Sequence, residues 1–498
     1  MDHPDFETFR KLAKQGNLIP LYREILADTI TPVSALVNLG SQPNVFLLES
    51  VEGGEKWGRY TFLGWDPRVI FKVRGENIIV QEKGESRTFK HEGDPLKFLK
   101  EILDRYRPVA IEGLPRFYGG AVGFLGYDMV RYIERLPTTP KEDLETDTAT
   151  FLISDTVLIF DNVRHTVKVA ASVFTEDTKD LARVYEEAVQ KIDRMCGALQ
   201  QMKKKDPGDK RARETFRAEG HFSANLSPEA FKDMVKKAKE YILSGDIIQV
   251  VISQRFQGGN GVAPVDLYRA LRYVNPSPYL FYLHLGDLIL IGSSPEVMVR
   301  LEEGVAELRP IAGTRPRGKT EQEDRDLADA LLRDPKEKAE HVMLVDLGRN
   351  DLGRIAQIGS VQVTQLMTVE RYSHVMHLVS HIRAQMAAGK DGFDLLKATF
   401  PAGTLSGAPK VRAMEIIEEL EPSRRGPYGG AIGYFSFTGN MDFGITIRTL
   451  MIRDGIIYIQ AGAGIVADSD PDTEYRESVN KAQALVRAYQ LAASGFSL

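Results

Sequence analysis

The chain has 498 residues, of which 43% are hydrophobic and 27% are charged, and its formal net charge is −5 at pH 7. This composition is typical of a globular protein with more than one core, and the negative balance argues against a nucleic acid or an anionic membrane as partner. The single cysteine, Cys196, excludes internal disulfides and cysteine-based zinc sites. No secretion signal or apolar run of ~18 residues occurs, so we expect a cytoplasmic protein.

Short segments between residues 45 and 170 alternate apolar and polar positions, which predicts an antiparallel sheet. They include RYTFLG, VIFKV, NIIVQEK, DTVLIFDN and HTVKVAAS. A helical pattern follows at about 175 to 203, and the charged stretch with Pro-Gly punctuation after it predicts a linker. We therefore predict two α+β lobes, at residues 1–200 and 223–498, joined by a linker at 201–222.

The second lobe opens with a predicted helix in SPEAFKDMVKKAKEYILSGD. Ser227 is its expected N-cap, Pro228 its first residue and Gly245 its stop. The strand-like segment DIIQVVISQRF follows directly.

A further helix carries the first of two Glu-x-x-Glu pairs. Asp334 is expected to cap this helix at Pro335, which places Glu337 and Glu340 on one face. Glu337 occupies the third helical position, where a carboxylate is equally well explained as a capping-box partner. Glu340 has no such structural explanation.

The last helix carries the second pair. It is expected to begin at Pro471, with Glu474, Glu477 and Lys481 on one face and an apolar stripe opposite. A solvated acidic face is the alternative for either pair alone, but two pairs favour a shared site.

Four carboxylates suit a hard cation such as Mg²⁺, which prefers oxygen ligands and commonly takes only one or two from a protein. We expect Glu340 and Glu477 to be direct ligands, and Glu337 and Glu474 to hold metal-bound waters.

Three features between and around the pairs predict the binding of a small anion. The loop of small residues in FPAGTLSGAPK offers backbone N–H groups and the Thr404 hydroxyl, and Arg448 in the strand-like FGITIRTLMI is a candidate carboxylate clamp. The AGAGIV run offers the backbone donors of Gly462, Ala463 and Gly464. An ordinary turn and a surface arginine on an edge strand are the alternatives.

With these residues in place, the sequence resembles the chorismate-utilising enzyme family, and within it the large subunits (component I) of anthranilate synthases. The resemblance covers nearly the whole chain. It rests on strings that occur in the family's order: GDIIQVVISQRF, NPSPYLFYL, SSPE, RPIAGTRPRG, EKAEHVMLVDLGRND, ERYSHVMHLVS, AGTLSGAPK, YGGAIGY, GITIRT and GAGIVADSDPDTEYRESVNKA.

This resemblance implies an antiparallel β-sheet sandwich flanked by helices. It implies a Mg²⁺-dependent reaction in which chorismate and ammonia give anthranilate and pyruvate, with the metal on Glu340 and Glu477. The residues implied in substrate binding are Gly313, Thr314, Thr404, Tyr428, Arg448, Gly462, Ala463, Gly464 and Lys481.

Two positions separate the subclasses of the family. Isochorismate and salicylate synthases have a lysine base where this chain has Gln249, which cannot deprotonate water. Aminodeoxychorismate synthases commonly have a nucleophilic lysine where this chain has Ala312. Direct attack by ammonia is therefore expected, with Glu296 as general acid on the departing hydroxyl and His377 assisting the elimination of pyruvate. A buried glutamate and a core histidine are the alternatives.

The resemblance also implies two partners. Cys196 lies in a helical pattern unsuited to a glutaminase nucleophile, so glutamine would be used only through a separate amidotransferase subunit (component II), in a heterotetramer of two large and two small subunits. Tryptophan would inhibit the enzyme through the N-terminal lobe, at Ser50, Pro278, Tyr279 and Leu280. The rival functions are an aminodeoxychorismate synthase and a non-catalytic tryptophan-binding regulator.

Overall fold

A computed structural model describes most of the chain. The described residues are 2–40, 42–50, 58–176, 178, 180–202, 222–259, 261–372 and 375–497. Most of the predicted linker at 201–222 lies outside them.

The described residues form α-helices and two short 3₁₀ helices, at Tyr127–Tyr132 and Gly403–Leu405. The α-helices are α1 (Phe6–Leu12), α2 (Pro32–Leu39), α3 (Pro95–Asp104), α4 (Leu181–Met202), α5 (Pro228–Leu243), α6 (Pro264–Val274), α7 (Glu321–Arg333), α8 (Pro335–Gly353), α9 (Gly392–Thr399), α10 (Lys410–Leu420) and α11 (Pro471–Ala493). None of these helices combines the length and the apolar character that crossing a bilayer requires.

The strands are mostly short and follow one another closely in sequence. They are β1 (Leu18–Leu26), β2 (Val45–Glu49), β3 (Tyr60–Gly64), β4 (Val69–Arg74), β5 (Asn77–Glu82), β6 (Glu85–Lys90), β7 (Gly120–Leu125), β8 (Ala149–Ser154), β9 (Thr156–Asp161), β10 (Thr166–Phe174), β11 (Ser223–Ala224), β12 (Gln249–Gly259), β13 (Tyr279–His284), β14 (Leu288–Ser294), β15 (Val297–Glu302), β16 (Val305–Leu308), β17 (Ile311–Pro316), β18 (Gln362–Arg371), β19 (Val375–Gln385), β20 (Gly407–Ala408), β21 (Ala431–Ser436), β22 (Met441–Ile445), β23 (Thr449–Arg453) and β24 (Ile456–Ile465).

These strands form two 12-stranded sheets. The first has the order β1-β10-β9-β3-β2-β13-β14-β23-β24-β12-β11, with β20 paired to β12. The second has the order β17-β19-β16-β15-β22-β21-β7-β8-β4-β5-β6, with β18 paired to β19. Neighbouring strands are antiparallel, as in β2 with β13 and β21 with β7.

Both sheets combine strands from the two predicted lobes. In the first sheet Leu48 of β2 lies opposite Phe281 of β13, and in the second Gly433 of β21 lies opposite Gly123 of β7. The segments predicted as strands between residues 45 and 170 are strands, but β3, β9 and β10 join the first sheet whereas β4 and β5 join the second. The domain boundaries stay a prediction.

The first sheet lies between two cores because its central strands are apolar on both faces. In β13, Phe281 packs into a core shared with Phe71 and Phe124 of the second sheet, whereas Tyr282 packs into a core shared with helices, including Leu271 of α6 and Leu485 of α11. The expected sandwich of antiparallel sheets flanked by helices is therefore confirmed.

The predicted helix starts are confirmed as well. The side chain of Ser227 accepts from the backbone N–H of Ala230 at the start of α5, and Gly245 beyond its end has a φ of +85°. Asp334 caps α8 by accepting from the N–H groups of residues 336 and 337, and Asp470 caps α11. Each cap satisfies N–H groups that have no partner within the helix.

A buried carboxylate links strands that are far apart in sequence. Asp442 of β22 accepts hydrogen bonds from Arg116 (2.8 Å), which precedes β7, and from Arg300 (3.0 Å) of β15. We expect Asp442→Asn to lower the free energy of unfolding by about 3 kcal/mol, because the buried negative charge that Arg116 and Arg300 both contact is removed. Asp346, exposed in its ion pair with Arg349, is the control.

Denaturant unfolding of both variants measures this difference. Asp346→Asn should change the unfolding free energy by less than about 1 kcal/mol. Equal effects of the two substitutions would contradict the account of Asp442.

Candidate active site

The predicted site residues come from elements that the two sheets bring together. Gln249 begins β12, Gly462 to Gly464 lie in the neighbouring β24, and α8 and α11 carry the glutamate pairs. Glu296 lies between β14 and β15, and Thr404 lies in the 3₁₀ turn at Gly403–Leu405.

Glu296 and Thr404 are hydrogen-bonded. The Thr404 hydroxyl donates to Glu296 Oε2 at 2.8 Å. Burial raises the pKa of Glu296, and the Thr404 hydrogen bond and the positive charges of Lys481 and Arg448 oppose this only in part. The carboxyl group therefore holds its proton to higher pH than an ordinary glutamate.

Glu340 lies half-buried near other carboxylates. Burial, together with the negative charges of Glu337 and Glu477, raises the pKa of Glu340, while a hydrogen bond from Gln249 and the charge of Lys481 lower it. Glu340 therefore lies within electrostatic reach of Glu337 and Glu477, and Glu477 in turn lies within reach of Glu474. Among the described residues, no three His, Cys, Asp or Glu side chains converge closely enough to hold a metal by themselves.

In the second glutamate pair, one side chain is exposed to solvent and the other is buried. Glu477 is exposed and forms an ion pair with Lys481 (2.7 Å), whose ammonium also donates to the Gly462 carbonyl (3.1 Å). Glu474 is buried, and burial raises its pKa against a hydrogen bond from Ser469. Lys481 therefore connects α11 to β24, called the glycine strand here because it contains Gly462 and Gly464, and it also contributes a positive charge.

Glu337 has a partner that sequence analysis missed. Its carboxylate accepts from Arg315 Nη1 (2.8 Å), and the same guanidinium bonds Asp334 (2.9 Å). Arg315 lies within the RPIAGTRPRG string but gave no independent signal, because the pairing depends on how β17 packs on α8.

His377 is fixed by β17. Its Nδ1 lies 2.9 Å from the Gly313 carbonyl and 3.1 Å from the Thr314 hydroxyl, where a register shift between Ala312 and Thr314 bends the strand. Because a carbonyl oxygen can only accept, we assign the proton to Nδ1, which leaves Nε2 as an acceptor. Burial lowers the pKa of His377, so the neutral ring is favoured.

Arg448 does not lie in a strand, contrary to what the sequence predicted. The segment FGITIRTLMI is split into β22 and β23, and Arg448 lies in the connection with a φ of +49° rather than in a strand. Its Nη1 lies 3.4 Å from Asn275 Oδ1. Within the described part of the chain no carboxylate forms an ion pair with this half-buried guanidinium. Asn275 was also missed by sequence analysis.

Two glycines of β24 let other groups approach its backbone. A Cβ on Gly462 would lie 3.0 Å from the Tyr428 hydroxyl, and one on Gly464 would lie 2.5 Å from Gln249 Nε2. Gln249 is buried, and its Oε1 has no hydrogen-bond partner among the described residues. Small residues are therefore required where the side chains of Gln249 and Tyr428 meet the strand.

The residues predicted to bind tryptophan also come close together. Leu280 of β13 lies opposite Glu49, the residue before Ser50, and is buried. Tyr279 donates to Asp442 (2.7 Å), and Pro278 precedes it.

The sequence is similar to those of known proteins over nearly its whole length. The sequence model of the chorismate binding enzyme family matches residues 45–487. Anthranilate synthase component 1 from Aquifex aeolicus is 48% identical, with 98% of this chain and 97% of that protein covered. The same-named protein from Pseudomonas putida is 48% identical, with 98% of each covered.

Solved structures agree with the fold. Anthranilate synthase component I from Streptococcus pneumoniae has a TM-score of 0.76 at 36% identity and covers 93% of this chain and 98% of its own. The menaquinone-specific isochorismate synthase from Escherichia coli has a TM-score of 0.68 at 20% identity, covering 97% and 98%, and shows the fold alone.

The two-sheet sandwich is therefore a fold that this chain shares with a solved structure of an enzyme subunit. The chain belongs to the chorismate binding enzyme family. It is an enzyme similar over its whole length to those named anthranilate synthase component 1.

The close contact between Gly464 and Gln249 can be tested by substitution. Gly464→Ala should displace Gln249 from Glu340 and lower the rate of chorismate consumption about tenfold or more, because the new methyl group occupies the space of Gln249 Nε2. Gly259, at the end of the paired strand β12, has open space at its Cβ position and is the control.

Gly259→Ala should keep the wild-type rate, and both variants should fold. An assay of chorismate consumption measures the rate, and thermal melting measures whether each variant is folded. Wild-type activity in Gly464→Ala would contradict the tight packing described for this strand.

Proposed function

We propose that the chain converts chorismate and ammonia to anthranilate and pyruvate. One observation supports this proposal: the site contains half-buried groups of both charges, Arg448 and Glu340, that form no ion pair among the described residues. Arg448 forms no ion pair among the described residues, and Glu340 lies near two further carboxylates. A dicarboxylate substrate and a divalent cation together complement this arrangement.

Glu340 and Glu477 fit as ligands of Mg²⁺. Both are oxygen donors, and the mutual repulsion that raises the pKa of Glu340 is relieved by a cation. Two carboxylates are sufficient, since Mg²⁺ keeps several waters or takes substrate oxygens. Glu337 and Glu474 would hold metal-bound waters. When bound, Mg²⁺ supplies positive charge that draws electron density towards the ring carboxylate of chorismate.

The remaining polar groups would hold the substrate. Arg448 offers a bidentate donor for a carboxylate, and the Tyr428 hydroxyl and the glycine-strand backbone offer further donors. Lys481 keeps its ammonium at this strand through the Gly462 carbonyl. The proposed substrate-binding residues are Gly313, Thr314, Thr404, Tyr428, Arg448, Gly462, Ala463, Gly464 and Lys481.

Four side chains have roles in the proposed chemical steps. Gln249 has no basic group to activate water, so ammonia is the nucleophile that attacks the ring. Glu296, whose raised pKa favours the protonated form, donates its proton to the departing hydroxyl. His377, neutral and with Nε2 free of the proton, assists the elimination of pyruvate. Thr404 keeps the Glu296 carboxyl group in position through its hydrogen bond.

Ammonia would come from glutamine through a separate amidotransferase subunit. The single cysteine, Cys196, is buried in α4, and burial raises its pKa, which is the opposite of what a thiolate nucleophile requires. The relatives' name, component 1, agrees with a second component. We propose a cytoplasmic heterotetramer of two large and two small subunits.

We further propose that tryptophan inhibits the enzyme at Ser50, Pro278, Tyr279 and Leu280. The pairing of β2 with β13 supports this site, because it brings residues 49 and 280 opposite each other. A tryptophan titration of the activity should show saturable inhibition that a larger side chain at Ser50 weakens. Equal inhibition of the wild-type enzyme and the variant at Ser50 would argue against this site.

The function is tested by incubating the purified chain with chorismate, Mg²⁺ and ammonium at mildly alkaline pH. We expect anthranilate fluorescence to appear with ammonium and not with glutamine alone. Accumulation of 4-amino-4-deoxychorismate would instead support an aminodeoxychorismate synthase. Tryptophan binding without any turnover would support a regulatory protein.

The metal ligands are tested by Glu340→Gln and Glu477→Gln. Each should lose most activity with little loss of stability, because a Mg²⁺ ligand is removed while the neighbouring carboxylates repel each other less. Removing Mg²⁺ from the wild-type enzyme should have the same effect on turnover. Glu321→Gln, at an exposed position of α7, should stay active, whereas wild-type turnover in either ligand variant would contradict the assignment.

A further inference from the structure

A buried ion pair outside the proposed chemistry links two parts of the site. Lys410, the first residue of α10, lies 2.8 Å from Asp351 of α8, and the two side chains are only 11% and 9% exposed. Lys410 also donates to the Thr399 carbonyl at the end of α9 (3.2 Å). One ammonium therefore joins both ends of the segment 400–409 and attaches them to α8.

The face of α8 that receives this segment is the face that carries Glu340. Glu340, Leu347 and Asp351 are seven and four residues apart, which places them along one side of a helix with about 3.6 residues per turn. A Cβ on Gly403 would collide with the Leu347 side chain, so the segment lies directly against this face. Thr404 follows and donates to Glu296 at 2.8 Å.

Stability alone is a weak reason to keep such a pair. Burial lowers the pKa of Lys410 and raises that of Asp351, so the ionised state is costly to bury. Replacing a buried ion pair by apolar residues of similar size is often neutral or stabilising.

We propose that Lys410 and Asp351 are positioning residues that hold Thr404 against Glu296. The inference rests on the proposed function, in which Glu296 is the general acid. Arg425 supports the middle of the segment by donating to the Leu405 carbonyl (2.6 Å), whereas Lys410 fixes its two ends.

The test is a double-mutant cycle between Lys410→Met and Thr404→Val, read as kcat for anthranilate formation. Lys410→Met should lower kcat about 10- to 100-fold, because Thr404 no longer orients the Glu296 carboxyl group. In the Thr404→Val background it should have little further effect. Additive effects, or an unchanged kcat in Lys410→Met, would overturn the proposal.

Lys72→Met is the matched control for a structural role. Lys72 forms a similarly buried ion pair with Asp147 (3.3 Å), on β4 of the second sheet. It should cost stability without changing kcat. A kcat lowered as strongly as in Lys410→Met would show that any buried lysine has this effect.

If Lys410→Met fails to fold, the double variant Lys410→Met/Asp351→Leu takes its place, with the same expected loss of kcat. A crystal structure of this variant should show the Thr404 hydroxyl out of hydrogen-bond distance of Glu296. Finding it in place would overturn the proposal. This geometric result is independent of activity, so a wild-type chain that makes no anthranilate would contradict only the proposed function.

Discussion

The carboxylate of Glu340 is half-buried near Glu337 and Glu477, and its raised pKa expresses both the burial and the repulsion. An arrangement of like charges persists only where other contacts enforce it. Here Arg315 holds Glu337 and Lys481 holds Glu477, while the side chain of Gln249 lies beside Glu340. A cation between these carboxylates would attract all of them and so offset their mutual repulsion.

The fold supplies these contacts from distant parts of the chain. Gln249 lies at the start of β12 and faces Gly464 of β24, while α8 and α11 bring glutamates from well-separated parts of the C-terminal region. The sheets in turn depend on the N-terminal strands, since β2 and β7 complete them next to β13 and β21. The position of each charged group is therefore a property of the whole sandwich.

Local features of this fold could be predicted from sequence. Ser227, Asp334 and Asp470 cap helices as the pattern indicates, because a cap depends on a few neighbouring residues. The sharing of both sheets between the two halves could not be predicted, because alternation fixes a strand's faces but not its partners.

For the candidate site, as for the fold, the sequence indicated local features but not the contacts between distant segments. The glutamate pairs and the glycine strand followed from spacing and resemblance, but Arg448 was placed in a strand that is interrupted there. Arg315, Asn275 and Lys410 carry contacts between distant segments, and their own neighbourhoods in sequence give no sign of them.

If a cation and an anionic substrate occupy this site together, each should strengthen the binding of the other. Calorimetric titration of Mg²⁺ into the chain, with and without chorismate and in the absence of ammonia, measures that coupling directly. We expect chorismate to tighten Mg²⁺ binding about fivefold or more, because each ligand neutralises charge that the other meets. Equal Mg²⁺ affinity in both titrations would contradict the account.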